Sequence, residues 1–140
     1  MRTIITLCFT FLLSIVSIAQ VNHSENILAF KVTGISYIAH LKNGEKIYGD
    51  TTPINDGREV IFDFNNNTIN CQKYIHSPFK IVKQFKSQQI TLTDSEVFEV
   101  IGNDNKPATL QLVLFNDMAI LYLRQNERPG LVHSYHLAYK

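Results

Sequence analysis

Apolar and polar residues alternate over short stretches along most of the chain. Val60, Phe62 and Phe64 fall on one side of such a stretch, with Glu59 and Asp63 on the other. Ala108, Leu110, Leu112 and Leu114 share a side opposite Thr109 and Gln111, and Leu131, Tyr135, Leu137 and Tyr139 share one opposite Ser134, His136 and Lys140. A period of two is what a half-buried strand requires, because successive side chains point to opposite faces. Met118 to Leu123 is apolar on both sides, which predicts a central strand or one packed under a second layer.

Turn-forming residues separate these stretches at short, even intervals: Asn43-Gly44, Asn55-Asp56-Gly57, Asn65-Asn66-Asn67, Ser77-Pro78, Ser87-Gln88, Asp94-Ser95, Gly102 to Pro107, Asn116-Asp117 and Arg128-Pro129-Gly130. The spacing predicts an all-β antiparallel up-and-down meander of about eight to ten strands, closed as a barrel or packed as a sandwich. Asn43-Gly44 predicts a two-residue type I′ hairpin, since both residues tolerate positive φ. Asn116-Asp117 predicts a second tight hairpin, and the Asn triplet at 65–67 joins two more strands. Residues 22–30 read either as the first strand or as one helical turn capped by Ser24.

A meander of this length resembles the lipocalin and fatty-acid-binding group of small barrels. The resemblance is architectural: the chain has no Trp for a Gly-x-Trp signature, and Tyr122-Leu123-Arg124 reverses the Arg-x-Tyr order of fatty-acid-binding proteins. It implies a barrel that takes a small apolar or amphipathic ligand inside.

The N-terminus departs from this pattern. Met1-Arg2 is followed by a mostly apolar run, Ile4 to Ile18, and by Ser17-Ile18-Ala19. This is the layout of a secretory signal peptide. The run is shorter than the ~20 residues a helix needs to span a bilayer. The expected organisation is a signal peptide over 1–19 and a single domain over 20–140, with no transmembrane segment after cleavage. The Ser-Ile-Ala-Gln ending resembles signal peptides of Bacteroidetes-type bacteria, which implies export to the periplasm or the medium of a Gram-negative cell.

Charge narrows the partners. The chain carries 13 basic and 12 acidic residues, and removal of Arg2 with the leader makes the two counts equal. A neutral domain has no long-range field to steer it to nucleic acid or anionic lipid. Cys71 becomes the only cysteine, so no internal disulfide forms and the core must stabilise the fold. Next to Ile69 in a predicted strand, Cys71 reads first as a small core hydrophobe, with a reactive thiol or an intermolecular disulfide as alternatives.

Catalytic and cofactor signatures are weak. His133 and His136 are three apart, which on a strand places them on opposite faces, and no CxxC or HExxH spacing supports a metal. His23, His40 and His76 stand singly at expected strand ends. Asn103-Asp104-Asn105 lacks the Gly and distant Glu of a calcium loop. No Gly-rich phosphate loop, Gly-x-Ser-x-Gly elbow or carboxylate pair is present, so no cofactor is expected and an enzyme ranks third among the readings.

One pattern does suggest binding. Lys73, Lys83, Arg124 and His133 interrupt apolar positions, with Tyr135 beside the last. If these faces line a barrel, Lys83, Arg124, His133 and Tyr135 are the candidate contacts for an amphipathic anion. The competing reading puts the cations at strand ends, reaching solvent. The first functional reading is therefore a small amphipathic ligand. The second is an interaction module for an envelope protein, with a filled core and exposed aromatics such as Tyr37, Tyr48 or Tyr74.

Overall fold

The computed structural model describes residues 26–86 and 94–140. The expected leader with Cys8, the residues His23 and Ser24, and the Ser87-Gln88 turn lie outside the described residues. All the regular structure described is strand: β1 (Ile27–His40), β2 (Lys46–Tyr48), β3 (Thr52–Pro53), β4 (Glu59–Asp63), β5 (Thr68–Cys71), β6 (Phe79–Lys86), β7 (Asp94–Ile101), β8 (Pro107–Leu114), β9 (Ala119–Gln125) and β10 (Leu131–Tyr139).

Every pairing is antiparallel. The order runs β10–β9–β8–β7–β6–β5–β4–β1, and β1 pairs back onto β10 from Phe30↔Tyr139 to Ala39↔Leu131. Eight strands thus close into a barrel. β2 and β3 add no circuit of their own. They pair with the later part of β1 on the edge that β4 occupies earlier, at Ile38↔Tyr48 to His40↔Lys46 and at Gly34↔Pro53 and Ile35↔Thr52. Residues 27–30, ambiguous in sequence, are strand.

Eight strands enclose just enough space for side chains to fill. Phe30, Val32, Val60, Phe62, Ile69, Cys71, Phe79, Phe98, Leu110, Leu112, Leu121, Leu123, Tyr135 and Leu137 do so, all buried. Phe62 and Phe98 meet at 5.5 Å between centroids, and Phe30 and Phe62 meet edge to face at 6.0 Å. The predicted inward series of β4, β8 and β10 are the ones found.

Asp94-Ser95, expected as a turn, instead opens β7 and pairs with Leu114 and Val113, and two further local features differ from expectation. At Asn43-Gly44 only the Gly has positive φ, 87°, and the turn is one residue longer than type I′: Gly44 N–H donates to Leu41 O and Leu41 N–H to Glu45 O. This is a type I turn closed by a left-handed residue. Gly102 to Lys106 repeats it, with Asn105 at φ 62° in the place of Gly44. In both, the preceding Asn43 or Asp104 side chain accepts from the N–H two residues on. Second, β1 carries a bulge between Val32 and Gly34. Phe30 and Val32 point inward before it and Ile35 after it, so one extra residue switches which parity faces the core.

Candidate functional site

Strand directions place the start of β1, the 64–67 turn, the 115–118 turn and the end of β10 at one end of the barrel. The stagger of the seam opens a cleft there. β1 is paired to β4 from Ile27 onward but to β10 only from Phe30 onward. On the β4 side the even residues make the backbone bonds, with Phe64 N–H donating to Asn26 O and Val32 N–H to Arg58 O. The N–H and C=O groups of Ile27 and Ala29 therefore face the β10 side, where Ala29 stands opposite Lys140 and Ile27 lies beyond the end of the ladder.

The cleft has a volume of ≈ 640 Å³, and its lining includes Leu28, Phe30, Leu114 and Tyr139 beside the Ile27–Ala29 edge. Phe30 is buried and Leu114 packs against the core, while Leu28 and Tyr139 are exposed in part. The Tyr139 ring lies 5.7 Å from that of Phe30, and its hydroxyl donates to Phe115 O at 2.6 Å. Polar groups form the rim. Asn26 Nδ2 donates to Asn65 Oδ1 at 2.8 Å, and the Lys140 ammonium pairs with Glu59. Asp63 organises the neighbouring turn by accepting from the N–H groups of Asn65 and Asn66, and the Asn66 side chain holds its carboxyl below the ordinary range.

The four residues singled out by sequence do not meet at one place. Arg124 pairs with Thr109 and Val132 on the outer face, because the adjacent Leu123 is the inward residue. Lys83 follows a bulge after Ile81, lies opposite Glu99, and sits 5.3 Å from the Phe85 ring centroid. His133 and Tyr135 lie inside, toward the far end from the cleft. There the half-buried Tyr74 ring contacts His133 at 5.9 Å, Tyr135 at 6.4 Å and His76 at 5.5 Å, all edge to face, and stacks on Phe79 at 5.8 Å. Gln125 Nε2 donates to the Tyr74 hydroxyl at 3.2 Å. Burial pushes the phenols of Tyr135 and Tyr74 up and the His133 imidazole down, so each favours its neutral form. This plug closes the far end.

The remaining candidates are engaged locally. Lys73, at φ 63°, donates to Asp56 at 2.7 Å, and Arg58 grips the same carboxylate at 2.6 Å. These two donors hold the Asp56 carboxyl well below its usual range. Asp104 accepts from His76 Nδ1 at 2.9 Å. His136 faces outward, with Nε2 3.3 Å from Ser36 Oγ, on the face opposite His133. Cys71 is fully buried, and burial pushes its thiol up to about 12.

Sequence reasoning missed the cleft. Leu114 and Tyr139 were legible as members of inward series, yet the cleft depends on where β10 stops relative to β1, a register between strands about a hundred residues apart. No family model, no curated protein and no solved structure matches this chain.

Proposed function

We propose that this protein is a binding module acting outside the cytoplasm, and that it holds an amphipathic ligand in the end cleft rather than in the barrel interior. The observation that carries this reading is the start of β1, where the backbone of Ile27 turns into an otherwise apolar cleft with no strand partner on that side among the described residues. Ligand sites commonly combine an apolar lining with a few convergent polar groups and fall between about 300 and 1,000 Å³. Here Leu28, Phe30, Leu114 and Tyr139 would take the apolar part. The free backbone groups, with Asn26 and Asn65 at the rim, would orient the polar part. Likeness in architecture to the lipocalin and fatty-acid-binding barrels supports the ligand class, while the filled interior moves the site to the mouth. The Ile4 to Ile18 run followed by Ser-Ile-Ala supports export, to the periplasm or the medium.

A second reading draws on the same edge. Alternate backbone groups along an unpaired strand suit an extended peptide, added as one more strand from an envelope protein.

The test uses 1-anilinonaphthalene-8-sulfonate, an anionic amphipathic probe, with the wild-type protein and Leu28→Asp. Saturable binding that weakens about tenfold or more in the variant is expected. A wild-type protein that leaves the probe unbound, or a variant that binds it equally well, would overturn the small-ligand reading. Slowed amide exchange at Ile27 on adding an extended peptide, with no probe binding, would favour the second.

A further inference from the structure

Another strand with an unpaired edge among the described residues is β2. Among the described residues it pairs only with β1, and all three of its residues are exposed. Tyr48 is 68% and Ile47 55% accessible, and the neighbouring Tyr37 is also 55% accessible. Aromatic and branched side chains exposed beside a free strand edge are a template for pairing with another chain.

The backbone phase of that edge is fixed. Leu41 N–H donates to Glu45 O and Gly49 N–H to Tyr37 O, and Ile47 stands between them opposite Ala39. Glu45, Ile47 and Gly49 therefore turn their backbone groups toward β1 and Lys46 and Tyr48 turn theirs away, with Asp50 two residues on, past the end of β2. A two-fold antiparallel pairing must set outward-turned residues opposite one another, so its axis passes through a residue and never between two.

The charges select among those registers. An axis at Lys46 would put two ammonium groups face to face, and axes at Ile47 or Gly49 would set Lys46 or Asp50 opposite Tyr48 with no charge partner. An axis at Tyr48 puts Lys46 of each chain directly opposite Asp50 of the other, twice by symmetry. It pairs the two Tyr48 rings across the axis. It also sets Ile47 opposite Gly49, where the absence of a side chain leaves room and where the Tyr37 ring already lies against the glycine, 3.0 Å from the position a Cβ would take. One register thus engages the free hydrogen-bonding groups, the two charges and the exposed apolar residues Tyr37, Ile47 and Tyr48. Cross-strand aromatic pairs and opposite charges are the units that stabilise such a ladder.

We propose that the protein forms a two-fold dimer through β2, joined edge to edge about Tyr48 with Lys46 of each copy opposite Asp50 of the other. This stands on different residues from the end cleft and is independent of the ligand reading. The short length of β2 and the opposite charges of Lys46 and the nearby Asp50 blunt indiscriminate edge pairing and at the same time define one partner, a second copy of this chain.

Sedimentation equilibrium over a range of protein concentrations tests the proposal. The wild-type protein should dimerise. Lys46→Glu sets two carboxylates opposite one another and Asp50→Lys sets two ammonium groups opposite one another, so each should weaken the dimer about tenfold. The double variant Lys46→Glu/Asp50→Lys exchanges the charges and should restore it. Both positions of the swap, Lys46 and Asp50, are exposed, and circular dichroism checks that each variant keeps its strand content. A second measurement uses Tyr48→Cys with oxidised glutathione as oxidant. The axis brings the two thiols together, and a disulfide-linked dimer should form while Cys71 stays unmodified. A wild-type protein that remains monomeric, single-charge variants that dimerise unchanged, a double variant that fails to recover, or a Tyr48→Cys protein that does not cross-link would each overturn the proposal.

Discussion

Among the individual side chains, His133 has the plainest consequence for behaviour in solution. Its ring is half-buried at the far end of the barrel, against Tyr74 and opposite Leu123. Burial lowers its affinity for a proton below the ordinary value of 6.5. The unfolded chain then binds a proton that the folded chain resists, so protonation favours unfolding. The contribution is complete above about pH 6.5 and declines as the pH falls through the interval between the ordinary and the lowered value. Melting temperatures at pH 7.5 and 5.5 should differ, and His133→Gln should narrow that difference. An unchanged pH dependence in the variant would locate the effect elsewhere. At this scale the sequence was partly legible. Cys71 read as a core residue because Ile69 shares its strand face, and the opposite facing of His133 and His136 followed from strand parity. Arg124 was harder to place: Ile120 and Tyr122 precede it, and both sides of β9 are apolar. Only the neighbours across the sheet fix Leu121 and Leu123 as inward and Arg124 as outward. Lys83 was displaced by a bulge, which inserts a residue without changing composition.

Elements bring the turns into play. The hairpins at Leu41–Glu45 and Gly102–Lys106 use one design, with a left-handed fourth residue supplied by Gly44 in the first and Asn105 in the second. Around Gly44 nothing lies within 4 Å of the position a Cβ would occupy, so a side chain there meets only the backbone preference. Gly44→Ala should therefore cost about 1 kcal/mol, while Asn105→Gly should be neutral or stabilising. Urea unfolding midpoints check both, and equal losses would contradict this account. The alternation in β4, β8 and β10 identified the strands and their inward faces. The turn type at Asn43-Gly44 did not follow, because Asn-Gly also fits the longer turn, and the choice between them rests on the pairing of Leu41 with Glu45. The bulge in β1 was likewise hidden: Gly34 sits under Thr51, where an added Cβ would come within 2.7 Å of the Thr51 methyl, a contact made by a distant segment.

For the molecule as a whole, closure is the decisive contact and the least local one. The β1–β10 pairing joins residues about a hundred positions apart, and the strands between them pair mostly as consecutive hairpins. Folds dominated by such distant pairings fold slowly, on the scale of about milliseconds to seconds, because the loop must close before the contact rewards it. Stopped-flow refolding should show that range, with a single equilibrium transition reported alike by backbone and Tyr signals. Microsecond folding would mean that hairpins, and not closure, limit the rate. Whether the meander closes could not be read from alternation alone, because open and closed meanders share the same inward series.

Closure also imposes an order on biosynthesis. Of the described strands, β10 is the last to leave a ribosome, and its place in the circle lies between the preceding strand and the first one made. Until Tyr139 has emerged, Phe30 through Ala39 of β1 lack a partner on the edge that β10 will occupy, and the Phe62–Phe98 interior stands open along one side. Such a chain cannot complete its fold piece by piece from the N-terminus. Its circle of strands stays open until the last one arrives.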